Sequence, residues 1–199
     1  MKINFVKTIE PLVKSLGRSA VEVGDGMRYT LKDAKVAEDV FTRSANSCTS
    51  VVLNAGEHNL MAHIDPQYFN RTSFIDNFQK MVDNFQQKFG DAKAVIFGGW
   101  ESGRVDPMVR TPSIDVYSTI AAVLDDMPLS MICGKRAGVA SYDHLLANKN
   151  KITLANEAIE RLKLTPEKIK TMTPEAVENE LQKLYEWVEI EPSMLDKLV

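Results

Sequence analysis

The clearest pattern of apolar and polar positions lies between Thr42 and Asp65, where two short apolar runs flank Ala55-Gly56. A two-residue turn at Ala55-Gly56 predicts a β-hairpin in which Cys48 lies directly opposite His63. Side chains in such a pair are about 5 Å apart at Cβ, close enough for a thiol and an imidazole to share a proton. A turn at Gly56-Glu57 would instead make His63 the diagonal neighbour of Cys48.

The two faces of this predicted hairpin differ in polarity, and both turn positions give the same faces. One face is apolar and is expected to pack on a core. Its residues are Thr49, Val51, Leu53, Leu60, Ala62 and Ile64. The other face is more polar. It carries Cys48, Ser50, Val52, Asn54, Asn59, Met61, His63 and Asp65. Cysteine and histidine therefore share the polar face.

The rest of the sequence predicts a mixed α/β fold. A helix is expected from a cap at Thr72 or Ser73 to the stop at Gly90, with four phenylalanines on its apolar stripe. A buried strand follows over 94–97, ending at Gly98-Gly99, then a helix over 113–125. Strand-like runs follow at 129–133, 138–142 and 151–155. The pattern over 32–46 is partly helical and ambiguous.

The composition changes near residue 155. Thr165-Pro166-Glu167 and Thr173-Pro174-Glu175 each carry the signals of a helix start. The run 176–188 then predicts a helix with one apolar face. We therefore predict a first domain over 1–154 and a helical C-terminal appendage over 155–199, which packs on that domain or binds a partner.

Composition narrows the function class. The 199 residues are 44% hydrophobic and 26% charged, which is ordinary for a globular protein, and the net charge of -3 gives no reason to expect nucleic acid or an anionic membrane as a partner. We find no signal peptide and no run long enough to cross a membrane. Two cysteines make no disulfide framework, so a reducing, cytoplasmic setting is expected.

Cys48 and His63 carry the chemistry that this pattern suggests. A thiolate stabilised by an imidazolium is a nucleophile, and the same histidine can act as general acid and then as general base. Backbone N–H groups of Cys48 and of residues 44–47 are expected to bind the oxyanion. A third group should orient the imidazole, and Thr42 and Asp65 are both placed to do so.

Other interpretations of these residues are structural. Cys48 as a small buried hydrophobe and His63 as a hydrogen-bonded core residue would need no catalysis. A zinc site from Cys48, His58, His63 and Asp65 is disfavoured, because His58 falls on the opposite face and no ligand pair has a recognised spacing.

The order of Thr42, Cys48 and His63, with the cysteine six residues after the threonine, resembles the active-site pattern of the CheD chemoreceptor glutamine deamidases. It is also similar to deamidating toxins of the cytotoxic necrotizing factor and Burkholderia lethal factor type, and to protein N-terminal asparagine amidohydrolase. The resemblance covers residues 20–155. Two departures are Asn46-Ser47-Cys48 at the nucleophile and Ile64-Asp65-Pro66 after the histidine.

The resemblance implies an α/β sandwich and thiol-dependent hydrolysis of a Gln or Asn carboxamide in a protein substrate. It gives Cys48 the role of nucleophile, His63 that of acid and base, and Thr42 that of orienting the histidine. It implies no cofactor and no metal. Such an enzyme acts in the cytosol of its own cell or, after specialised secretion, in that of another. A thiol protease or acyl-transfer enzyme with the same residues, and a non-catalytic binding module that uses the C-terminal helices, are the alternatives.

Overall fold

Two β-sheets and the helices that cover them form the fold. The computed structural model describes residues 1–6, 8–24, 30–43, 48–66, 69–98, 110–134, 144–155, 171–183 and 185–189. The mixed α/β class expected from the sequence is confirmed. None of the helices in these ranges is long and apolar enough to cross a membrane.

The first sheet has five strands. They are β1 (Lys2–Val6), β2 (Ala20–Glu22), β4 (Asp39–Thr42), β9 (His144–Asn148) and β10 (Lys151–Ala155), in the spatial order β1-β10-β9-β4-β2. The outer strands β1 and β2 run parallel to their neighbours, whereas β9 is antiparallel to both β10 and β4. Thr42 is therefore the last residue of an inner strand.

The second sheet has six strands, centred on the predicted hairpin. They are β3 (Lys35–Ala37), β5 (Thr49–Ala55), β6 (His58–Ile64), β7 (Lys93–Gly98), β8 (Leu129–Gly134) and β11 (Tyr185–Glu189), in the order β11-β8-β7-β5-β6-β3. Every residue of β5 and all but the first of β6 are buried, so both faces of this hairpin are covered.

One face of the hairpin packs on the other sheet and the opposite face packs on helices. Val52 and Met61 lie in a core with Val40 of β4 and Leu145 of β9. The apolar face predicted from the sequence lies instead against α2 (Arg71–Phe89) and α3 (Arg110–Val123). A short helix α1 (Glu10–Leu16) covers the outer side of the first sheet. The layers are thus helix, sheet, sheet, helix.

The helix α2 ends at the predicted residue and begins slightly earlier than predicted. Asn70 is the N-cap, and its side chain accepts a hydrogen bond from Ser73 N at 3.2 Å. The cap was expected at Thr72 or Ser73, which is two or three residues too late. Gly90 ends the helix with φ 89°, a conformation that glycine tolerates. Phe74, Phe78 and Phe85 are buried on its inner face.

One sequence interpretation of secondary structure was wrong, and one ambiguous stretch is resolved. In the described residues 32–43 of the ambiguous stretch, a single turn of 3-10 helix at Leu31–Asp33 leads into β3 and β4. The helix predicted over 176–188 ends early, because α4 (Pro174–Gln182) is followed by β11, which pairs with β8. The C-terminal segment therefore adds an edge strand to the second sheet rather than being helical throughout. The predicted helix start at 165–167 and the strand at 138–142 lie outside the described residues.

A cluster of asparagines ties the two sheets together at one end. Asn59 of β6 donates hydrogen bonds to the carbonyl oxygens of Glu38 (2.7 Å) and Lys149 (3.0 Å), and Asn54 of β5 also donates to Lys149 O (2.9 Å). Glu38 immediately precedes β4. The start of β6 is thereby fixed against the start of β4, although the strands belong to different sheets. Both amides are buried, so these bonds set the alignment of one sheet on the other.

Candidate active site

Thr42 and His63 meet between the two sheets. The Oγ1 of Thr42 lies 2.6 Å from Nδ1 of His63, and both side chains are fully buried. The strands β4 and β6 belong to different sheets and pass close to one another here. Four residues earlier in the sequence of each, the hydrogen bond from Asn59 to the Glu38 carbonyl joins them. The contact of Asn59 and the contact of Thr42 therefore both hold β4 against β6, one near the start of the two strands and one near their end. The asparagine contact helps to position Thr42 next to His63.

A second hydrogen bond of Thr42 determines which ring nitrogen of His63 carries the proton. Thr42 Oγ1 also lies 3.0 Å from the carbonyl oxygen of Val23, which can only accept. The single hydroxyl proton of Thr42 is therefore donated to Val23. The hydroxyl must then accept from Nδ1–H of His63, which leaves the lone pair of a neutral imidazole on Nε2. His63 Nδ1–H thus donates to the Thr42 hydroxyl, and that hydroxyl donates to the Val23 carbonyl. Nε2 is the basic nitrogen of the ring.

Cys48 precedes β5 by one residue, and the hairpin register differs from the first expectation. Ser50 pairs with His63 and Ala55 pairs with His58, so the turn is Gly56-Glu57 and the expected turn at Ala55-Gly56 was wrong. Gly56 takes φ 63° at the first turn position, where a type II′ turn requires glycine. Cys48 is then the diagonal neighbour of His63 along the hairpin, not its direct partner. Diagonal residues are about 7 Å apart at Cα and remain within reach of longer side chains.

The shift of register leaves the face of each residue unchanged. Ser50, opposite His63, also pairs with Phe97 of β7, and Phe97 belongs to the core between the sheets. Cys48 lies at a bend just before β5, and extending the alternation of β5 back by one residue assigns it to the side of Ser50 and His63. Cys48 is 6% exposed and forms no disulfide within the described part of the protein. The predicted oxyanion segment, residues 44–47, lies outside the described residues.

None of the protein-family models matches this sequence, nor does any curated protein or solved structure.

Burial controls the protonation of His63. Desolvation lowers the pKa of His63 from 6.5 to about 4, because the charged imidazolium loses its hydration between the sheets. The oriented partner of Nδ1 is a neutral hydroxyl, which supplies no negative charge to offset that loss. At neutral pH the ring is a neutral base whose tautomer is fixed by Thr42.

The free energy of unfolding should consequently fall as the pH is lowered from about 6.5 to about 4. The unfolded protein takes up a proton on His63 below pH 6.5 and the folded protein only below about 4, so unfolding is favoured as the pH falls through that interval. We expect wild type to lose roughly 3 kcal/mol more than a His63→Asn variant between pH 7 and pH 4, since each pKa unit is about 1.4 kcal/mol. Urea unfolding at several pH values measures this. Parallel curves for the two proteins would contradict it.

Arg43 fixes the backbone immediately after Thr42. Its guanidinium bonds Glu10 of α1 through Nε and Nη2, both at 3.0 Å, and also pairs with Glu22 at the end of β2. The same group lies over the ring of Phe41, 4.7 Å from its centroid. These contacts join a helix and two strands at the carboxyl end of β4. They hold the backbone that carries Thr42.

The structure separates several residues that the sequence had grouped. His58 stacks on Phe89 of α2 with centroids 4.2 Å apart, away from the space between the sheets. Within the described residues no cluster of three His, Cys, Asp or Glu side chains could hold a metal ion. Of the two candidates for the third group, Thr42 is the one whose hydroxyl lies on Nδ1 of His63. Sequence reasoning missed Val23, whose role comes from a carbonyl that no side-chain pattern reveals.

A groove lies on the helix side of the second sheet. It has a volume of about 670 Å³ and lies between the 3-10 turn at Leu31–Asp33 and the start of α2. Ile64 lines it, and Ile64 pairs with Thr49, the residue after Cys48. Neither Cys48 nor His63 is among its lining residues in the described part of the protein.

Proposed function

We propose that the protein is a cysteine-dependent amidohydrolase that deamidates the carboxamide of a side chain, most directly glutamine, in a protein substrate. The single observation that supports this best is the series of hydrogen bonds from His63 Nδ1 through Thr42 to the Val23 carbonyl. That series leaves Nε2 of His63 as the base, and Cys48 is assigned to the same face of the second sheet as His63. The proposal places Cys48 within reach of that nitrogen because of this shared face.

The proposed reaction begins with attack by Cys48 on the carboxamide carbon. Its thiol proton passes to His63 Nε2 as the S–C bond forms, and the carbonyl oxygen becomes an oxyanion. The imidazolium then gives its proton to the amide nitrogen, and ammonia leaves as the C–N bond breaks. A thioester between Cys48 and the former glutamine side chain remains.

Water completes the cycle. His63 Nε2 takes a proton from water as its oxygen attacks the thioester, and the Cys48 sulfur leaves with that proton returned to it. The substrate side chain is released as a carboxylic acid, which loses the second proton of the water to solvent and becomes a carboxylate. Thr42 acts throughout by accepting from Nδ1–H, so that the ring neither rotates nor changes tautomer between the two halves of the reaction.

The low pKa of His63 specifies how the first proton moves. A preformed thiolate–imidazolium pair requires a histidine that is easily protonated, and burial disfavours that state here. Proton transfer from Cys48 is therefore proposed to accompany attack on the carbonyl rather than to precede it. This distinguishes the site from cysteine enzymes in which a carboxylate supports the imidazolium.

Mass spectrometry of substrate proteins tests the reaction type. Deamidation adds about 1 Da to the substrate and releases ammonia, because the acyl-enzyme forms as the C–N bond of the glutamine carboxamide breaks. Incubation of cell extract or of candidate proteins with wild type should give such a shift, and with Cys48→Ala it should not. Cleavage of the substrate backbone would favour the thiol protease, and transfer to an amine would favour the acyl-transfer enzyme. Unchanged masses throughout, with no thiol reactivity, would favour the binding module.

A further inference from the structure

Ser50 is a buried hydroxyl that the proposed mechanism has not used. Its side chain is completely buried, and its Oγ has no hydrogen-bond partner in the part of the protein that the structure describes. A buried hydroxyl without a partner is destabilising, and an alanine or valine would fit a core between two sheets better. The hydroxyl of Ser50 therefore lowers the stability of the folded protein, and packing alone does not explain why a serine is present.

The location of Ser50 connects it to Cys48 and His63. It pairs directly with His63 in the hairpin and lies two residues after Cys48 in the sequence. Residues two apart in a strand share a face and are separated by about 6.6 Å. A Cys Sγ and a Ser Oγ that turn toward one another across that separation come within hydrogen-bond distance. A thiol sulfur is a weak acceptor, whereas a thiolate is charged and accepts strongly.

We propose that Ser50 is a positioning residue whose hydroxyl donates to the Cys48 sulfur when that sulfur becomes negatively charged. The inference rests on the proposed function, because it requires Cys48 to ionise. It gives a purpose to the buried hydroxyl of Ser50, which has no partner among the described residues. The hydrogen bond forms when charge develops on sulfur, so its energy lowers the barrier rather than stabilising the resting protein.

Thr49 provides a matched control on the adjacent residue. It is equally buried, and its Oγ1 also lacks a partner among the described residues. Thr49 pairs with Ile64, which belongs to the core under the helices, so its side chain lies on the other face of the sheet from His63. The variants Ser50→Ala and Thr49→Val thus each remove one orphaned hydroxyl, and only the first removes one from the face of the proposed site.

Other ionisable groups near Cys48 are the same in both variants. His63 on β6 and Asp65 just after it come from the neighbouring strand. In the facing sheet, Arg43 follows β4 and His144 begins β9. On β7, Phe97 lies opposite Ser50 and does not ionise. Residues 44–47 contain no ionisable side chain. A difference between the variants in the titration of Cys48 therefore reports on Ser50.

The experiment is the pH dependence of Cys48 alkylation by iodoacetamide, followed by intact mass in a Cys133→Ala background. We expect Ser50→Ala to move the apparent thiol pKa upward by about one unit, the effect of losing one charge-assisted hydrogen bond, and to slow alkylation at pH 7 several-fold. Thr49→Val should leave the profile unchanged. Both variants should have a urea midpoint equal to or above that of the parent protein, since each removes an unsatisfied group.

Each outcome decides between the two proposals. If Ser50→Ala and Thr49→Val give the parent profile, Ser50 plays no part in thiolate stabilisation, while the proposed function still stands. If both variants shift the profile equally, the effect comes from packing, and the inference about Ser50 is wrong. If the parent Cys48 is not alkylated at any pH at which the protein stays folded, the thiol is inaccessible and the proposed function fails as well. Rescue of the parent profile by Ser50→Thr, which restores a hydroxyl, would support the inference.

Discussion

Replacing Cys48 by alanine should reduce ammonia release at least about 10³-fold, because alanine has no nucleophile with which to form the acyl-enzyme. Alanine is also close in volume to cysteine, and Cys48 lies at the edge of the core with 6% of its surface exposed. Folding should therefore survive the change. The measurement is ammonia release and substrate mass shift at matched enzyme concentration, together with a urea unfolding curve.

The matched control for this variant is Cys133→Ala. Cys133 lies on β8, two strands away from β5 in the second sheet, so its removal should leave the rate unchanged. Cys48→Ser is a second useful variant, because an alcohol at this position needs a stronger base than a histidine of pKa about 4. Full activity in either Cys48 variant would remove the nucleophile from the proposal.

Local patterns in the sequence were sufficient for the hairpin, for α2 and for the face on which each hairpin residue lies. Alternation over 49–55 and 58–64 fixes those faces, and they do not depend on the position of the turn. The register did depend on the position of the turn, and the observed pairing of Ala55 with His58 shows that the turn is at 56–57 and not at 55–56. A difference of one residue in the turn changed Cys48 from a direct to a diagonal neighbour of His63.

The pairing of Thr42 with His63 could not be derived from local pattern, because it is a contact between two sheets. The stretch that contains Thr42 had an ambiguous helical pattern, since β4 is short and both of its faces are buried. Its partners are long-range: β9 on one side and β2 on the other. The family resemblance suggested Thr42, but its geometry depends on the asparagine contacts at Glu38 and Lys149, which no periodicity reveals.

The strand β11 shows tertiary context overriding a helical pattern. The run 176–188 has helical spacing throughout, yet Tyr185–Glu189 pair with β8. An edge strand gains hydrogen bonds from its neighbour that an isolated helix end does not have, and aromatic and β-branched residues are favoured in strands. Tyr185, Trp187 and Val188 are residues of those types.

Thr42→Val should be the most informative single change at the site, because valine keeps the shape of threonine and removes only the hydroxyl. Two hydrogen bonds are lost together, and the Val23 carbonyl and His63 Nδ1–H are left buried without these partners. We expect a loss of roughly 2 kcal/mol in the free energy of unfolding, from the cost of such unsatisfied groups. We also expect activity to fall by roughly 10²-fold or more, because a histidine without its orienting partner can adopt the wrong tautomer.

Nitrogen-15 NMR of the histidine ring separates these two effects. In wild type at neutral pH, His63 should carry its proton on Nδ1 and leave Nε2 unprotonated, as the bond to Thr42 requires. In Thr42→Val the Nε2–H tautomer should become populated, since Nδ1–H then loses the threonine as acceptor. Thr42→Ser, which retains the hydroxyl, should restore the wild-type tautomer and most of the activity even if it restores less of the stability. If Thr42→Val keeps both the Nδ1–H tautomer and full activity, then the threonine contributes only packing, and the catalytic role of His63 must depend on some other group.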